Sequence, residues 1–289
     1  MPGDLKTVAF IGLGVMGSLM AQNLEAAGFA VQSYDLNGKG NRKSARAAAD
    51  GADVLITMLP DGDAMREAVL DALPGLRADA IVVDMSSSDP AGTRALGQAL
   101  AKNDIRMVDA PVSGAKFKAK DGTLAIMVGG DKAVVEQVMP VLRKLGSEIF
   151  HVGPLGAGHA IKALNNYLGA AGTLAGFEAL LIAQAFGLDP GPMLEAINAS
   201  TGRNSTTVRK IPQDVLTGAF ASGFKLALMT KDVGIAAGLA RGLKVETPFL
   251  KETLKHWRAA QKQLPRDADH TEIYKYQRKL RLRPRTRRR

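Results

Sequence analysis

Thr7-Val8-Ala9-Phe10-Ile11-Gly12-Leu13-Gly14-Val15-Met16-Gly17 sets the reading of the first half of this chain. Thr7–Ile11 is a short β-branched and apolar run that predicts a strand, and the amphipathic Val15–Ala27 predicts a helix. Between them Gly12, Gly14 and Gly17 form a G-x-G-x-x-G, with Leu13, Val15 and Met16 at its variable positions. The first glycine permits a tight turn, the second lets a pyrophosphate approach the backbone, and the third lets helix and strand pack closely. The helix start adds free N–H groups and the positive end of its dipole. Such a turn suits a dinucleotide.

The next strand-like run, Ala30–Tyr34, ends on Asp35, 23 residues after Gly12. That is close to the roughly 20-residue spacing at which a carboxylate takes the adenosine ribose hydroxyls. A carboxylate there repels a 2′-phosphate, so NAD is favoured over NADP. Lys39, Arg42 and Lys43 follow, and would attract such a phosphate; they read more simply as a solvated loop.

Further strand candidates are Val54–Leu59, Ala80–Asp84, Arg106–Asp109, Leu124–Val128 and Glu148–Val152. Helix-like stretches lie between them at Asp63–Ala72, Ala91–Lys102 and Lys132–Leu145. This alternation predicts an α/β Rossmann-type domain, a parallel sheet with helices on both faces. From His159 to Phe186 the chain reads as one long Ala/Leu/Gly helix, stopped by Gly187 and Asp189-Pro190. Helical segments follow, with breaks at 190–192, 201–206, 218–223 and 247–248. The expected organisation is therefore a nucleotide-binding domain over 1–160 and an all-helical domain over 161–277, joined by that long helix. Gly169, Gly172 and Gly176 on its surface predict close helix packing, within the chain or across a dimer.

The formal net charge of +10 is concentrated at one end: residues 278–289 hold eight cations and no acid, leaving +2 for residues 1–277. A block of like charge reads as a solvated, disordered tail rather than a nucleic-acid site. Cysteine is absent, which removes disulfides and thiolate chemistry and fits a reducing compartment. The start shows no secretory pattern, and Leu174–Phe186, interrupted by Glu178 and Gln184, is too short to span a bilayer. A soluble cytoplasmic protein with no membrane or nucleic-acid partner is the expectation. His151 and His159 cluster with no third ligand in the sequence, so no metal site is expected.

Four blocks, in one order, resemble the β-hydroxyacid dehydrogenase family, which includes 3-hydroxyisobutyrate dehydrogenase and tartronate semialdehyde reductase. They are Gly12-Leu13-Gly14-Val15-Met16-Gly17-Ser18-Leu19-Met20-Ala21-Gln22-Asn23-Leu24, Asp109-Ala110-Pro111-Val112-Ser113-Gly114, Gly156-Ala157-Gly158-His159-Ala160-Ile161-Lys162-Ala163-Leu164-Asn165-Asn166, and Lys231-Asp232. Met16, Met20, Ala21 and Asn23 go beyond a generic dinucleotide fingerprint. The resemblance spans about 7–250 and implies an NAD-dependent, self-associating (homodimeric or homotetrameric) oxidoreductase. It implies that Leu59-Pro60 borders the adenine side of the cofactor, that Ser87 lies near the nicotinamide, and that Lys231 meets the cofactor with Asp232 orienting it. For Ser87 an ST-turn or helix cap is an equal reading.

The chemistry follows. Moving a hydride to or from a carbinol carbon requires a partner for the hydroxyl proton. Lys162, just inside the long helix, is that partner, and Asn166, four residues on, shares its helical face. Asn165 does not. A lysine in water has a pKa of about 10.4, so a base role near neutrality requires burial or a neighbouring positive charge. Ser113 and Gly114 suit a substrate carboxylate, whereas Ala115 departs from the family's Ser-Gly-Gly. Lys116, Lys118 and Lys120 follow, either as a solvated basic loop or as a site for a second anionic group. Arg203 and Asn204 are further candidates to reach substrate. The resemblance leaves 3-hydroxyisobutyrate, glycerate or tartronate semialdehyde, L-serine and threonate open. Imine reduction is a second reading, disfavoured because relatives that reduce C=N bonds replace the lysine. A non-catalytic nucleotide-fold binding protein is a third, and it predicts lost catalytic residues.

Overall fold

The computed structural model describes residues 5–281 and divides the chain into two compact units, Met1–Ala163 and Leu164–Arg289. In the first unit strands β1 (Thr7–Ile11), β2 (Ala30–Tyr34), β3 (Val54–Thr57), β4 (Ile81–Asp84) and β5 (Arg106–Asp109) pair in parallel in the order β2-β1-β3-β4-β5. Three more strands extend the sheet: β6 (Val112–Ser113), β7 (Leu124–Gly129) and β8 (Gly146–Gly153). The sheet is the expected parallel-dominated one, with a single reversal. β7 runs antiparallel to β5 and β6, and β8 runs parallel to β7. The chain turns back between β6 and β7, through residues 114–123, and a two-residue strand gives no periodicity to read.

Alternation along the strands fills two cores. Val8 and Phe10 of β1, Val54 and Ile56 of β3, and Ile81 and Val83 of β4 pack on one face. Ala9 and Ile11, Leu55 and Val82 pack on the other. Both faces are buried, as parallel sheets require. The first face is covered by α1 (Gly17–Ala26) and α6 (Lys132–Leu142), the second by α2 (Ala45–Ala49), α3 (Gly62–Ala72) and α4 (Pro90–Ala101). Residues 116–120 are not a loop: Ala115–Lys120 form a short helix, α5, that buries Ala119.

β2 is the edge of the sheet, where a doubly wound sheet ordinarily carries another strand. Asn41 stands in for that neighbour. Its amide nitrogen donates to Val31 O at 2.8 Å, and its Oδ1 accepts from Ser33 N–H at 2.8 Å. Its own N–H reaches Ser33 O at 3.0 Å.

Helix α7 (Ala157–Phe186) begins two residues earlier than expected and runs from the first unit into the second. By length and composition it is long and apolar enough to cross a membrane, a description that also fits the core helix of a soluble protein. The second unit continues with α8 (Pro190–Asn198), a π-helical segment (Thr206–Val215), α9 (Leu226–Gly242), α10 (Pro248–Gln263) and α11 (Ile273–Arg281). Gly172 and Gly176 face Asn204 and Thr206 of this unit, while Gly169 has no neighbour within 4 Å of a built Cβ. Residues 278–281 of the expected tail belong to α11, and residues 282–289 lie outside the described residues.

In the π-helical segment Lys210 is largely buried and donates to Thr173 Oγ1 at 2.6 Å. Burial, and then Arg209 beside it, bring its pKa down to about 8. The unfolded chain therefore holds an extra proton between about pH 8 and 10, and stability rises with pH across that window. Lys210→Met should flatten the rise and be the more stable chain near neutral pH. Chemical denaturation across the window checks both.

Candidate functional site

The glycine turn separates into two structural glycines and one that the chain itself does not require. A Cβ on Gly12 would collide with the Met58 carbonyl, and one on Gly17 with the Gly12 carbonyl. A Cβ on Gly14 would meet nothing within 4 Å among the described residues, and Gly14 is exposed beside exposed Val15. The middle glycine thus keeps backbone open to a partner outside the chain. No side chain caps the start of α1 next to it, so the positive end of the helix dipole faces the turn, while the Ser18 and Leu19 N–H groups donate to the Gly14 and Met16 carbonyls at 3.1 Å. This fits a pyrophosphate.

Asp35 closes β2 beside the turn. Its Oδ2 accepts from Leu13 N–H at 2.7 Å, and its Oδ1 from the Asn37 N–H at 2.8 Å and side-chain amide at 3.0 Å. Burial pushes its pKa up, but these hydrogen bonds and nearby Lys39 outweigh that and hold the carboxyl below its ordinary value. A cavity of about 460 Å³ opens here, lined by Tyr34, Asp35, Leu36, Asn41, Arg42 and Lys43. Arg42 Nε donates to Gln32 Oε1 at 2.9 Å, so this loop is held against β2 rather than merely solvated.

Leu59 lies against the turn, its Cδ2 2.9 Å from a Cβ built on Gly12, and its N–H donates to Ser86 Oγ at 2.9 Å. Pro60 follows it. Ser87 is half-buried between two buried serines that are pinned to Asp84: Ser86 by its N–H at 2.9 Å and Ser88 by its hydroxyl at 2.8 Å. The cap of α4 is Asp89, so Ser87 is not spent there.

The third cluster surrounds the start of α7. Asp109, fully buried at the end of β5, accepts from Gly156 N–H and His159 N–H, both at 2.7 Å. Burial raises the pKa of this carboxyl, against the pull of His159 and the helix N–H groups. After Asp109 the chain passes through Ala110 and Pro111 to Ser113, Gly114 and Ala115, with φ of 142° at Gly114 and 58° at Ala115. Alanine in the left-handed region costs about 1 kcal/mol, so the departure from glycine is accommodated with strain. The stem of Lys118 lies over Gly114.

On α7 Lys162 (9% exposed) and Asn166 (7%) fall on the buried stripe, and Asn165 is exposed. Within the second unit Asn166 Nδ2 donates to Asp232 Oδ2 at 2.5 Å, and Lys231 Nζ lies 3.3 Å from Asp232 Oδ1. Asn166 Oδ1 accepts from the Asn165 amide at 3.1 Å. Asn204 is committed to its own turn, accepting from Thr206 N–H at 2.8 Å, and Arg203 is exposed. His151 Nε2 pairs with the Gly130 carbonyl at 2.9 Å. Among the described residues no three potential ligands gather as a metal site. Sequence reasoning assigned Asp84, Asp109 and His159 no role of their own beyond strand ends, block membership and a metal question. The clue was present in Asp109 and His159 belonging to two separate matched blocks.

Two family descriptions match the chain in succession: the NAD binding domain of 6-phosphogluconate dehydrogenase over residues 7–153, and the NAD-binding of NADP-dependent 3-hydroxyisobutyrate dehydrogenase over 156–277. A 2-(hydroxymethyl)glutarate dehydrogenase of Eubacterium barkeri is 36% identical over 84% of this chain and 85% of its own. An NAD-dependent L-serine dehydrogenase of Pseudomonas aeruginosa is 35% identical over 94% and 97%. Among solved structures, a Mycobacterium tuberculosis 3-hydroxyisobutyrate dehydrogenase with L-serine superposes with a TM-score of 0.88 at 31% identity, covering 95% of this chain and 99% of that one.

Gly14→Ala should leave thermal stability unchanged, because the methyl meets only open space. It should weaken NADH binding by about tenfold or more by crowding the pyrophosphate. A fluorescence titration beside a melting curve checks both halves.

Proposed function

Because the chain belongs to the β-hydroxyacid dehydrogenase family, we propose that Lys162 is its proton-transfer residue and acts on a short β-hydroxyacid. The reaction is the NAD-dependent interconversion of a hydroxyacid and its aldehyde or keto acid. Bound nicotinamide supplies the carbon that takes or returns the hydride. In oxidation the neutral Lys162 amine takes the hydroxyl proton as the C–H bond gives up its hydride; in reduction the ammonium returns that proton to the carbonyl oxygen. The observation that carries this reading is the burial of Lys162 one turn into α7, on the stripe it shares with Asn166.

Asn166 holds the substrate hydroxyl near that amine. Its amide gives one hydrogen to Asp232 and keeps a second for the substrate. Ser113, Gly114 and Ala115 take the substrate carboxylate. Gly12, Leu13, Gly14, Val15, Met16 and Gly17 hold the cofactor pyrophosphate, Asp35 its ribose, Leu59 and Pro60 its adenine side, and Ser87 its nicotinamide; Lys231 is a further cofactor contact. The acids in the relatives' names (3-hydroxyisobutyrate, L-serine, 2-(hydroxymethyl)glutarate) share a primary alcohol one carbon away from the carbon bearing the carboxylate. A substrate of that class, 3-hydroxyisobutyrate-like, is our reading, with glycerate and threonate as alternatives. Imine reduction and a non-catalytic role are disfavoured, since Lys162, Asn166, Lys231 and Asp232 are all present. Assembly as a homodimer or homotetramer fits the exposed Leu168, Ile182 and Phe186 of α7. The absence of cysteine fits the cytoplasm.

An absorbance assay for reduced nicotinamide, run with these acids, should show turnover of at least one. Lys162→Ala should lower kcat by roughly 10²–10⁴-fold while NADH affinity stays within about threefold. A folded variant with near-normal kcat rules the assignment out. The ionised Asp35 should make NAD the better cofactor by about tenfold or more in kcat/KM, and Asp35→Ser should narrow that ratio.

A further inference from the structure

Two carboxylates at the ends of β4 and β5, Asp84 and Asp109, are fully buried, and the side chain between them is His159, itself 1% exposed. Its Nε2 lies 3.4 Å from Asp84 Oδ2, and its Nδ1 lies 3.7 Å from Asp109 Oδ2. Thr93 Oγ1 sits 2.9 Å from Nδ1 and hydrogen-bonds the Asp89 carbonyl at 3.0 Å. With that hydroxyl proton given to the Asp89 carbonyl, Thr93 accepts from Nδ1–H; Nε2 then makes no hydrogen bond among the described residues and meets Asp84 only as a packing contact at 3.4 Å. Burying two carboxylates costs several kcal/mol each unless they are partnered, and both are partnered around this ring, which fills the space between them.

The partners of each carboxylate belong to the candidate site. Asp84 Oδ1 accepts from Thr57 Oγ1 at 2.9 Å and from Ser86 N–H at 2.9 Å, and its Oδ2 from Ser88 Oγ at 2.8 Å. Ser86 Oγ in turn takes the Leu59 N–H. Asp84 thereby fixes the residues on either side of Ser87 and the segment lying against the glycine turn. Asp109 fixes the start of α7 and leads into Ser113-Gly114-Ala115. Residues three apart on a helix lie on one side of it, so His159 and Lys162 share the buried side of the first turns of α7.

We propose that His159 is a positioning residue for Lys162, joining the first turn of α7 to both strand ends through Asp84 and Asp109. The proposal rests on Lys162 as the proton-transfer residue. His159 touches neither substrate nor cofactor; it sets the rotation and depth of the turn that carries the amine, relative to the loops that hold both reactants. Its removal therefore lowers kcat more than it weakens NADH binding.

The test is a double-mutant cycle with two side chains at 159. His159→Leu should lower kcat by about thirtyfold, with the NADH dissociation constant within about threefold of wild type. His159→Gln, whose amide can donate to Thr93 Oγ1 as Nδ1–H does, should recover kcat to within about fivefold, and it carries the test if the leucine chain fails to fold. In a Lys162→Ala background either substitution should change the residual rate by less than about twofold, because residues that act as a unit are non-additive. Equal losses of kcat and NADH affinity would overturn the proposal by making His159 a general fold residue. So would an unchanged kcat, or the full loss repeated in the Lys162→Ala background. Failure of the Lys162 reading itself is separately visible, as normal turnover by Lys162→Ala alone.

Discussion

The interaction on which the candidate site depends is one carboxylate at one helix end. A 30-residue helix starts with N–H groups that no residue of its own can satisfy, and it presents the positive end of its dipole there. Asp109 meets both demands from the end of β5, through the N–H groups of Gly156 and His159. The geometry is tight enough that a Cβ on Gly158 would come within 2.9 Å of Asp109 Oδ2. The Gly156-Ala157-Gly158 approach to Lys162 is thus the sequence cost of wrapping a helix start around a buried anion. Hydrogen bonds to a charged acceptor are each worth about 1.5–3 kcal/mol, enough to hold the first turn of α7 in one orientation.

The same logic organises the neighbouring strand ends. Parallel strands bring their carboxyl ends to one side of the sheet, where a doubly wound fold binds its ligand. Thr57, Asp84 and Asp109 end β3, β4 and β5 there, all buried and linked through hydrogen bonds to Ser86, Ser88 and His159. Polar groups buried this completely act as a framework: each must be satisfied, so each fixes its partner. At the edge of the sheet Asp35 plays a comparable part with the Leu13 and Asn37 N–H groups, and it stays ionised where a ribose is expected.

Much of this was legible in the sequence. The glycine turn, Asp35 and the strand–helix alternation carry strong period and spacing signals, and the structure returns β1, β2 and β5 with the expected ends. That Lys162 and Asn166 share one face of α7 while Asn165 points away follows from helical spacing; that this face is buried does not. What escaped reading depended on contacts distant in sequence or on elements too short to have a period. β6 is two residues long, and α5 forms on a lysine-rich segment whose single buried side chain is Ala119. The Asn41 substitute for a neighbouring strand is made by a side chain, and no pattern announces it. His159 looked like a lone histidine because its carboxylate partners lie 75 and 50 residues away.

The account turns on an amine at position 162 moving the proton. Chemical rescue tests that most directly: the Lys162→Ala chain is assayed with a series of small primary amines in solution. The account requires turnover to return in proportion to amine concentration, with rates that follow amine basicity as general acid–base catalysis does. A folded, NADH-binding Lys162→Ala chain that no amine of any size revives would contradict it.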